Sequence, residues 1–228
     1  MRGIFVTGTD TSCGKTEIAL ALMEALRRSG AAVLGMKPVA SGCEPAPEGL
    51  RNEDARRLQA QGSHQVPYEQ VNTYAFEPPI APHIAADQAG VRIEPEVIAA
   101  AAEPLVARSD FLVVEGVGGW RVPLGPSLFA SDLPLALDLP VVLVSGFKLG
   151  CINQSLLTVE SIRLSGARLV GWVANQIDPD MLVRDENLAT LVALIDSPCL
   201  GLVPWIPFPD PRRVAEHLDL TPLLTGRP

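Results

Sequence analysis

The chain has 228 residues, a length that suits one domain able to bury most of its apolar surface. Its formal net charge is −8 and no run of Lys or Arg concentrates positive charge, which argues against nucleic acid as a partner. Four scattered cysteines form no CxxC pair and no apolar stretch has the length needed to cross a bilayer, so we expect a cytoplasmic protein with reduced thiols and no membrane partner.

Strand and helix patterns alternate along the chain. Short runs rich in β-branched residues predict strands at residues 4–7, 32–36, 111–114, 141–145, 169–175 and 199–203. Helical spacing predicts helices at residues 15–29, 96–107, 151–165 and 184–194. This alternation predicts an α/β fold, with residues 1–228 forming a single domain built on a mostly parallel, doubly wound sheet flanked by helices. Ligands of such sheets bind beyond the carboxyl ends of the strands.

Two segments depart from the alternation. Residues 41–82 have little strand signal and many Pro, Gly and polar residues, so we expect a long excursion with one short helix near residues 52–60. The tail from residue 207 starts with prolines and carries short apolar patches, which permit a docked helix but do not require one.

The first predicted strand leads into the sequence GTDTSCGKT at residues 8–16 and then into a helix. Glycines allow tight turns, successive backbone N–H groups at a helix start face phosphate oxygens, Lys15 neutralises their charge and the Thr16 hydroxyl can ligate magnesium. Gly8 and Gly14 are one residue further apart than in the pattern G-x-x-x-x-G-K-[ST]. A chance Gly-Lys-Thr in an ordinary turn is the alternative, and the flanking strand and helix favour a P-loop that binds a nucleoside triphosphate.

Two carboxylates are candidates to complete a magnesium site. Glu115 ends an apolar strand and precedes the glycine-rich sequence GVGG, although a solvated acid at a strand end is the alternative. Asp54 is, on its local sequence, better explained as a charge that stabilises the start of a helix.

Several runs together resemble the dethiobiotin synthetase family. They are GTDT at 8–11 with GKT at 14–16, KPVASG at 37–42, EGLRN at 48–52 with DA at 54–55, PH at 82–83, VEG at 114–116 with GGW at 118–120, KLGCIN at 148–153, GWVAN at 171–175 and PW at 204–205. The resemblance covers residues 5–205 in order, and the runs are far more specific jointly than singly.

The resemblance implies a homodimeric P-loop ligase of biotin biosynthesis, with Mg²⁺ as cofactor and ATP as co-substrate. Such an enzyme forms the ureido ring of dethiobiotin from diaminopelargonic acid and CO₂, or bicarbonate as its source. The reaction passes through a carbamate and a carbamic-phosphoric anhydride and releases ADP and phosphate. This chemistry needs positioning and charge neutralisation more than a protein nucleophile.

The resemblance also implies the roles of individual residues. Lys15 and Lys37 are the catalytic cations, and Thr16, Asp54 and Glu115 are the magnesium ligands. The implied ATP-binding residues are Ser12, Cys13, Gly14, Lys15, Thr16, Glu17, Asp54, Glu115, Gly116, Val117, Gly118, Asn175, Gln176, Pro204, Trp205 and Ile206. The implied diamine-binding residues are Thr11, Ser41 and Gly118, with Leu149, Gly150, Cys151 and Asn153 reaching the diamine from the partner subunit.

Two other classes fit parts of this pattern. A P-loop nucleotide-switch ATPase commonly has an additional lysine early in the loop, where residues 9–13 here are TDTSC. A cobyrinate-type amide ligase normally needs an ammonia source and often a glutaminase domain, for which the chain has no room. Cys151 could also act as a nucleophile, but a small half-buried thiol is the better interpretation.

Overall fold

The computed structural model describes residues 3–225. Its strands are β1 (Gly3–Gly8), β2 (Val33–Met36), β3 (Val39–Ser41), β4 (Glu44–Ala46), β5 (Gly49–Arg51), β6 (Tyr74–Phe76), β7 (Phe111–Glu115), β8 (Val141–Phe147), β9 (Leu169–Gln176) and β10 (Cys199–Val203). Its helices are α1 (Lys15–Arg28), α2 (Glu53–Gln61), α3 (Tyr68–Val71), α4 (Pro82–Gln88), α5 (Pro95–Ala107), α6 (Leu133–Ala136), α7 (Cys151–Leu164), α8 (Arg184–Leu194), α9 (Pro211–Ala215) and α10 (Thr221–Thr225), with a 3₁₀ turn at Ala130–Asp132.

The main sheet has the strand order β10-β9-β8-β1-β7-β2, and every neighbouring pair in it is parallel. These are the six strands that the apolar runs predict, so the predicted α/β class with a parallel sheet is confirmed. The chain leaves β1 for the edge strand β2 and returns through β7, which places β1, β7 and β2 side by side. Their carboxyl ends therefore open onto one region, where the P-loop begins.

The register of the sheet sets which side chains meet at this region. Val6 of β1 pairs with Glu115 of β7, and Met36 of β2 pairs with Val114. Lys37 follows Met36 directly, so it emerges level with Glu115. Two residues that are far apart in sequence are thus brought to neighbouring strand ends.

Helices cover both faces of the sheet, and alternate strand residues supply the two sides of the core. Ile4 and Val6 pack in the cluster that contains α1, whereas Phe5 between them packs in the cluster that contains α5. A third cluster joins β8 and β9 to α7. Strands β1, β7 and β8 are buried along their whole length, which explains their continuous apolar sequences.

The excursion is more structured than predicted. The expected helix near residues 52–60 is present as α2, but the prediction of one short helix was wrong because α3 also lies in this segment. β3 pairs with β6, and β4 forms a hairpin with β5. Each of these strands has three residues, which is too short for a periodic pattern to appear. In the tail, α9 and α10 dock on the α1 side of the sheet through Val214 and Leu223.

No helix among residues 3–225 is long and apolar enough to span a membrane.

Candidate active site

The P-loop adopts a conformation that exposes backbone amides at the start of α1. Gly14 is the N-cap of α1 with φ 90° and ψ 25°, a left-handed conformation that favours glycine. The loop is fixed to β8, because Thr9 N–H donates to Val144 O (3.0 Å) and the Gly146 N–H donates to the Thr9 hydroxyl (3.2 Å). An anion at this position would meet the N-terminal end of a 14-residue helix.

Lys15 lies under the loop in this structure. It is buried, and its Nζ donates to the carbonyl oxygen of Asp10 (2.9 Å) and lies 3.9 Å from Cys13 Sγ. The flexible stem of a lysine side chain allows the ammonium group to turn from this carbonyl towards a phosphate. The lysine is therefore positioned within the loop that it would serve.

Asn175 supports the loop from strand β9, which is separated from β1 by β8. Its Nδ2 donates to the carbonyl oxygen of Cys13 (2.9 Å), and a Cβ at Gly14 would overlap this same Nδ2. Gly14 is thus required for two reasons, the left-handed φ and the close approach of Asn175.

We expect the substitution Gly14→Ala to lower the free energy of unfolding by about 2–3 kcal/mol, because left-handed strain of about 1–2 kcal/mol adds to overlap with Asn175. Gly30→Ala is the matched control. Gly30 also has a positive φ (+94°), but a Cβ added there would meet no other side chain or backbone segment within 4 Å, so only the backbone strain applies. Urea denaturation of both variants measures the difference. Equal losses would contradict the role of Asn175.

Four polar side chains form a compact cluster at the carboxyl ends of β7 and β2. Lys37 Nζ donates to Asp54 Oδ2 (2.6 Å) and to Glu115 Oε1 (2.7 Å), and the Thr16 hydroxyl donates to the same Glu115 oxygen (2.9 Å). The side chains of Lys37 and Glu115 are 7% and 1% exposed, and that of Asp54 is 36% exposed. Because Lys37 and Glu115 are buried, the charge of each depends on an ion-pair partner for its stability.

The pKa values of Lys37 and Asp54 are both shifted in the direction that favours the charged form. Burial alone would lower the pKa of Lys37, but attraction to Glu115 and Asp54 outweighs it and leaves the pKa above its usual value. For Asp54 the directions are reversed. Burial alone would raise its pKa, but attraction to the adjacent Lys37 ammonium group outweighs burial and leaves the pKa below its usual value. Both groups are therefore charged at neutral pH.

The cluster has the donor chemistry of a magnesium site. Two carboxylates and a hydroxyl offer the oxygen ligands that Mg²⁺ takes, and the buried Glu115 Oε2 has no hydrogen-bond partner among residues 3–225. Residues 3–225 contain no group of three or more His, Cys, Asp or Glu side chains that could hold a metal ion. A cation here would thus need further ligands from a bound phosphate, as magnesium sites of nucleotide enzymes do.

A cavity of about 710 Å³ opens beside this cluster and brings most of the predicted site together. Predicted residues that line it are Thr11, Ser12, Gly14, Lys15, Thr16, Glu17, Lys37, Ser41, Asp54, Glu115, Val117 and Gly118. The lining also contains residues that sequence reasoning did not assign to the site, namely Asn52, Arg57, Pro79, Ile80, Ala81, Pro82 and Val122. Arg57 lies three residues after Asp54 on α2, and that spacing is the one hint that the sequence contains.

Other predicted residues lie outside the cavity lining. Cys13 is buried beneath the loop, and Gly116 N–H donates to Val6 O (2.9 Å) inside the sheet. Gln176 follows Asn175 at the end of β9, where its Nε2 donates to Asp178 O (3.0 Å) and its Oε1 accepts from Arg184. Residues 204–206 follow β10, and Trp205 is half exposed there.

The segment predicted to reach a partner subunit lies at the start of α7. Leu149 is 96% exposed, Gly150 is the left-handed N-cap of the helix and Asn153 is exposed, whereas Cys151 is buried. Burial raises the pKa of the Cys151 thiol, which disfavours the reactive thiolate. Cys151 is more deeply buried than the expected half-buried thiol, and this burial supports its interpretation as a thiol that is not a nucleophile.

The chain is similar in sequence to known proteins over nearly its whole length. A family model described as an AAA domain matches residues 2–212. A protein of Cellvibrio japonicus named ATP-dependent dethiobiotin synthetase BioD is 52% identical over 223 residues, which is 98% of each chain. A protein of the same name from Pseudomonas aeruginosa is 52% identical over 227 residues, covering 99% of this chain and 100% of that one.

Two solved structures with the same fold are distant in sequence. The cell division protein MinD of Aquifex aeolicus superposes with a TM-score of 0.59 at 14% identity, covering 100% of this chain and 98% of that chain. The MinD protein of Pyrococcus horikoshii, solved with Mg-ADP, gives a TM-score of 0.54 at 17% identity, covering 94% and 84%. At such identities the likeness concerns the P-loop ATPase fold alone.

Proposed function

Because the chain belongs to the family of ATP-dependent dethiobiotin synthetases, an ATP-dependent ligase family of biotin biosynthesis, we propose that the cavity beside the P-loop is its active site. The observation that carries the proposal is the convergence of Lys15, Lys37, Thr16 and two carboxylates on one cavity. We further propose diaminopelargonic acid and CO₂ as the substrates that meet ATP there.

The P-loop is proposed to hold the triphosphate. Backbone N–H groups of residues 12–17 supply neutral donors, and Lys15 leaves the Asp10 carbonyl to neutralise the transferred phosphoryl group. The part of the site that binds adenine is formed at the ends of β9 and β10, by Asn175, Gln176 and residues 204–206. Asn175 also donates a hydrogen bond to the P-loop, so it would connect the adenine-binding residues to the phosphate-binding loop.

Thr16, Asp54 and Glu115 are proposed to hold Mg²⁺ together with phosphate oxygens. When bound, the cation would neutralise charge on the triphosphate during phosphoryl transfer. The donor set fits, because Glu115, whose Oε2 lacks a hydrogen-bond partner among residues 3–225, and Asp54 both line the cavity. Lys37 pairs with both carboxylates, so its ammonium group is held where it can also meet an anionic substrate.

The reaction needs three bond-forming steps, and the side chains can assist each of them. One amine of the diamine attacks CO₂ and loses a proton, which gives a carbamate that Lys37 can stabilise. A carbamate oxygen then attacks the γ-phosphorus and expels ADP, with Lys15 and Lys37 facing the charge that develops. The second amine attacks the carbonyl carbon of the resulting carbamic-phosphoric anhydride, loses a proton and expels phosphate, which closes the ureido ring. Thr11, Ser41 and the Gly118 backbone are proposed to orient the diamine.

The working unit is proposed to be a homodimer that shares its active site. Leu149, Gly150, Cys151 and Asn153 do not line the cavity of their own chain, so a second subunit would have to bring them to the diamine. The exposed Leu149 supports this, since a large apolar side chain favours a covered position. We propose that the protein works in the cytoplasm, where its free cysteines Cys13, Cys43, Cys151 and Cys199 remain reduced.

The decisive experiment measures ATP hydrolysis in the presence and absence of each proposed substrate. We expect hydrolysis to require both diaminopelargonic acid and bicarbonate, and dethiobiotin to form in equal amount to ADP. Equal hydrolysis without the diamine would indicate a nucleotide switch instead. A requirement for ammonia would indicate an amide ligase.

A further inference from the structure

A bidentate ion pair joins the P-loop helix α1 to helix α2 beside the cavity. Arg57 Nη1 donates to Glu17 Oε1 (2.6 Å) and Arg57 Nη2 donates to Glu17 Oε2 (2.8 Å). The side chains are 32% and 23% exposed, so the pair is partly shielded from water. Two parallel hydrogen bonds fix orientation as well as distance, unlike a single contact between flexible charges.

Each partner stands next to a proposed magnesium ligand. Glu17 follows Thr16 in the first turn of α1, and Arg57 lies three residues after Asp54 on α2, hence on the same face of that helix. All four side chains line the one cavity. The pair therefore connects the element that carries the hydroxyl ligand to the element that carries the exposed carboxylate ligand.

Asp54 needs such support more than Glu115 does. Glu115 is buried at the end of a central strand, whereas Asp54 is 36% exposed in the first turn of a nine-residue helix that belongs to the excursion. The ammonium group that holds Asp54 is that of Lys37, which also donates to Glu115. Further along the same two helices, Gln61 Nε2 donates to Glu24 Oε2 (3.0 Å), a contact too distant along both helices to orient Asp54.

We propose that the Glu17–Arg57 pair is a positioning device that holds Asp54 against Thr16 and thereby sets the affinity of the site for its divalent cation. The inference rests on the proposed function, since it presumes that Asp54 and Thr16 ligate the cation. The pair acts through Asp54, not by contact with the reacting atoms. It adds two residues that serve the magnesium site without being ligands.

The test uses the variants Arg57→Gln and Glu17→Gln, singly and together, with Gln61→Leu as the control that breaks a second polar contact between α1 and α2. Binding of Mn²⁺ to protein saturated with a non-hydrolysable ATP analogue is followed by electron paramagnetic resonance. Each single variant should raise the dissociation constant about 10-fold, as the loss of a residue that supports a ligand commonly does. The double variant should lose no more than either single one, because the two residues act as a unit.

A second measurement needs no ligand. Amide hydrogen exchange across residues 52–57 should be faster in Arg57→Gln than in the unmodified protein, because the start of α2 loses its anchor. Gln61→Leu should lower the thermal midpoint yet leave Mn²⁺ affinity within about 2-fold of the unmodified protein, because this contact lies far from Asp54. Arg57→Lys should lose part of the affinity, since one point charge replaces a bidentate contact.

Three outcomes would overturn the proposal. Unchanged Mn²⁺ affinity in both single variants would show that the pair does not support the site. Additive losses in the double variant would mean that one partner contacts the ligand independently. Failure of the unmodified protein to bind Mn²⁺ with the nucleotide would contradict the proposed magnesium site itself. This failure is distinguishable from failure of the Glu17–Arg57 proposal, because it appears before any substitution is made.

Discussion

The substitution Lys37→Gln is expected to lower the rate of dethiobiotin formation by about two to three orders of magnitude while ATP still binds. Loss of one preorganised group that faces developing charge commonly has an effect of about 10²–10³. The P-loop is unchanged in this variant, so the nucleotide keeps Lys15 and the backbone amides. Steady-state turnover and a fluorescent-nucleotide titration measure the two quantities separately.

The same substitution should also destabilise the ligand-free protein, because it leaves the buried Glu115 carboxylate without its ammonium partner. Removal of one member of a buried ion pair costs about 3–5 kcal/mol, and Asp54 can move to solvent whereas Glu115 cannot. The double variant Lys37→Gln with Glu115→Gln should recover stability but not turnover. Turnover that survives in Lys37→Gln would refute the role assigned to this lysine.

The second large effect is expected from Glu115→Gln, which should raise the magnesium concentration needed for half-maximal ATP turnover by about 10–100-fold. An amide keeps the size of the side chain and can still accept from Thr16 and Lys37, but it lacks the charge that a hard cation prefers. Lys37 keeps its ion pair with Asp54 in this variant, so the loss of folding stability should be smaller than for Lys37→Gln. Magnesium titration of turnover measures the first effect, and urea denaturation the second.

Glu24→Gln is the matched control for that experiment. Glu24 is also largely buried and also ion-paired, with Arg28 at 3.1 Å, but it does not line the cavity. Its substitution should affect stability alone. An unchanged magnesium requirement in Glu115→Gln, or an equal change in both variants, would contradict the ligand assignment.

The main sheet and the P-loop were predictable because their signals are local. A buried parallel strand must be apolar on both faces, so β1, β7 and β8 appear as continuous apolar runs in the sequence. The P-loop needs glycine and lysine at fixed spacing next to a strand and a helix. Motifs distributed over residues 5–205 indicated the family, and relatives 52% identical over almost the full chain confirm it.

The excursion was less predictable because its elements are short. Three-residue strands and a four-residue helix show no period, and their stability comes from contacts with the rest of the domain. Asp54 illustrates the consequence. Its local sequence favours a helix-start charge, and it does lie in the first turn of α2, but the position of α2 against the P-loop also gives it contact with Lys37.

The sequence alone determined the fold class, the P-loop and the membership of the family, since these depend on residue types at short, fixed spacings. The tertiary structure decided which distant charges meet. Lys37 pairs with Glu115 across 78 positions because β2 and β7 are neighbours in register, and Arg57 pairs with Glu17 across 40 positions because α2 packs on α1. A charged residue on a helix has the same local pattern whether it faces water or a partner, so only the packing of the elements distinguishes the two.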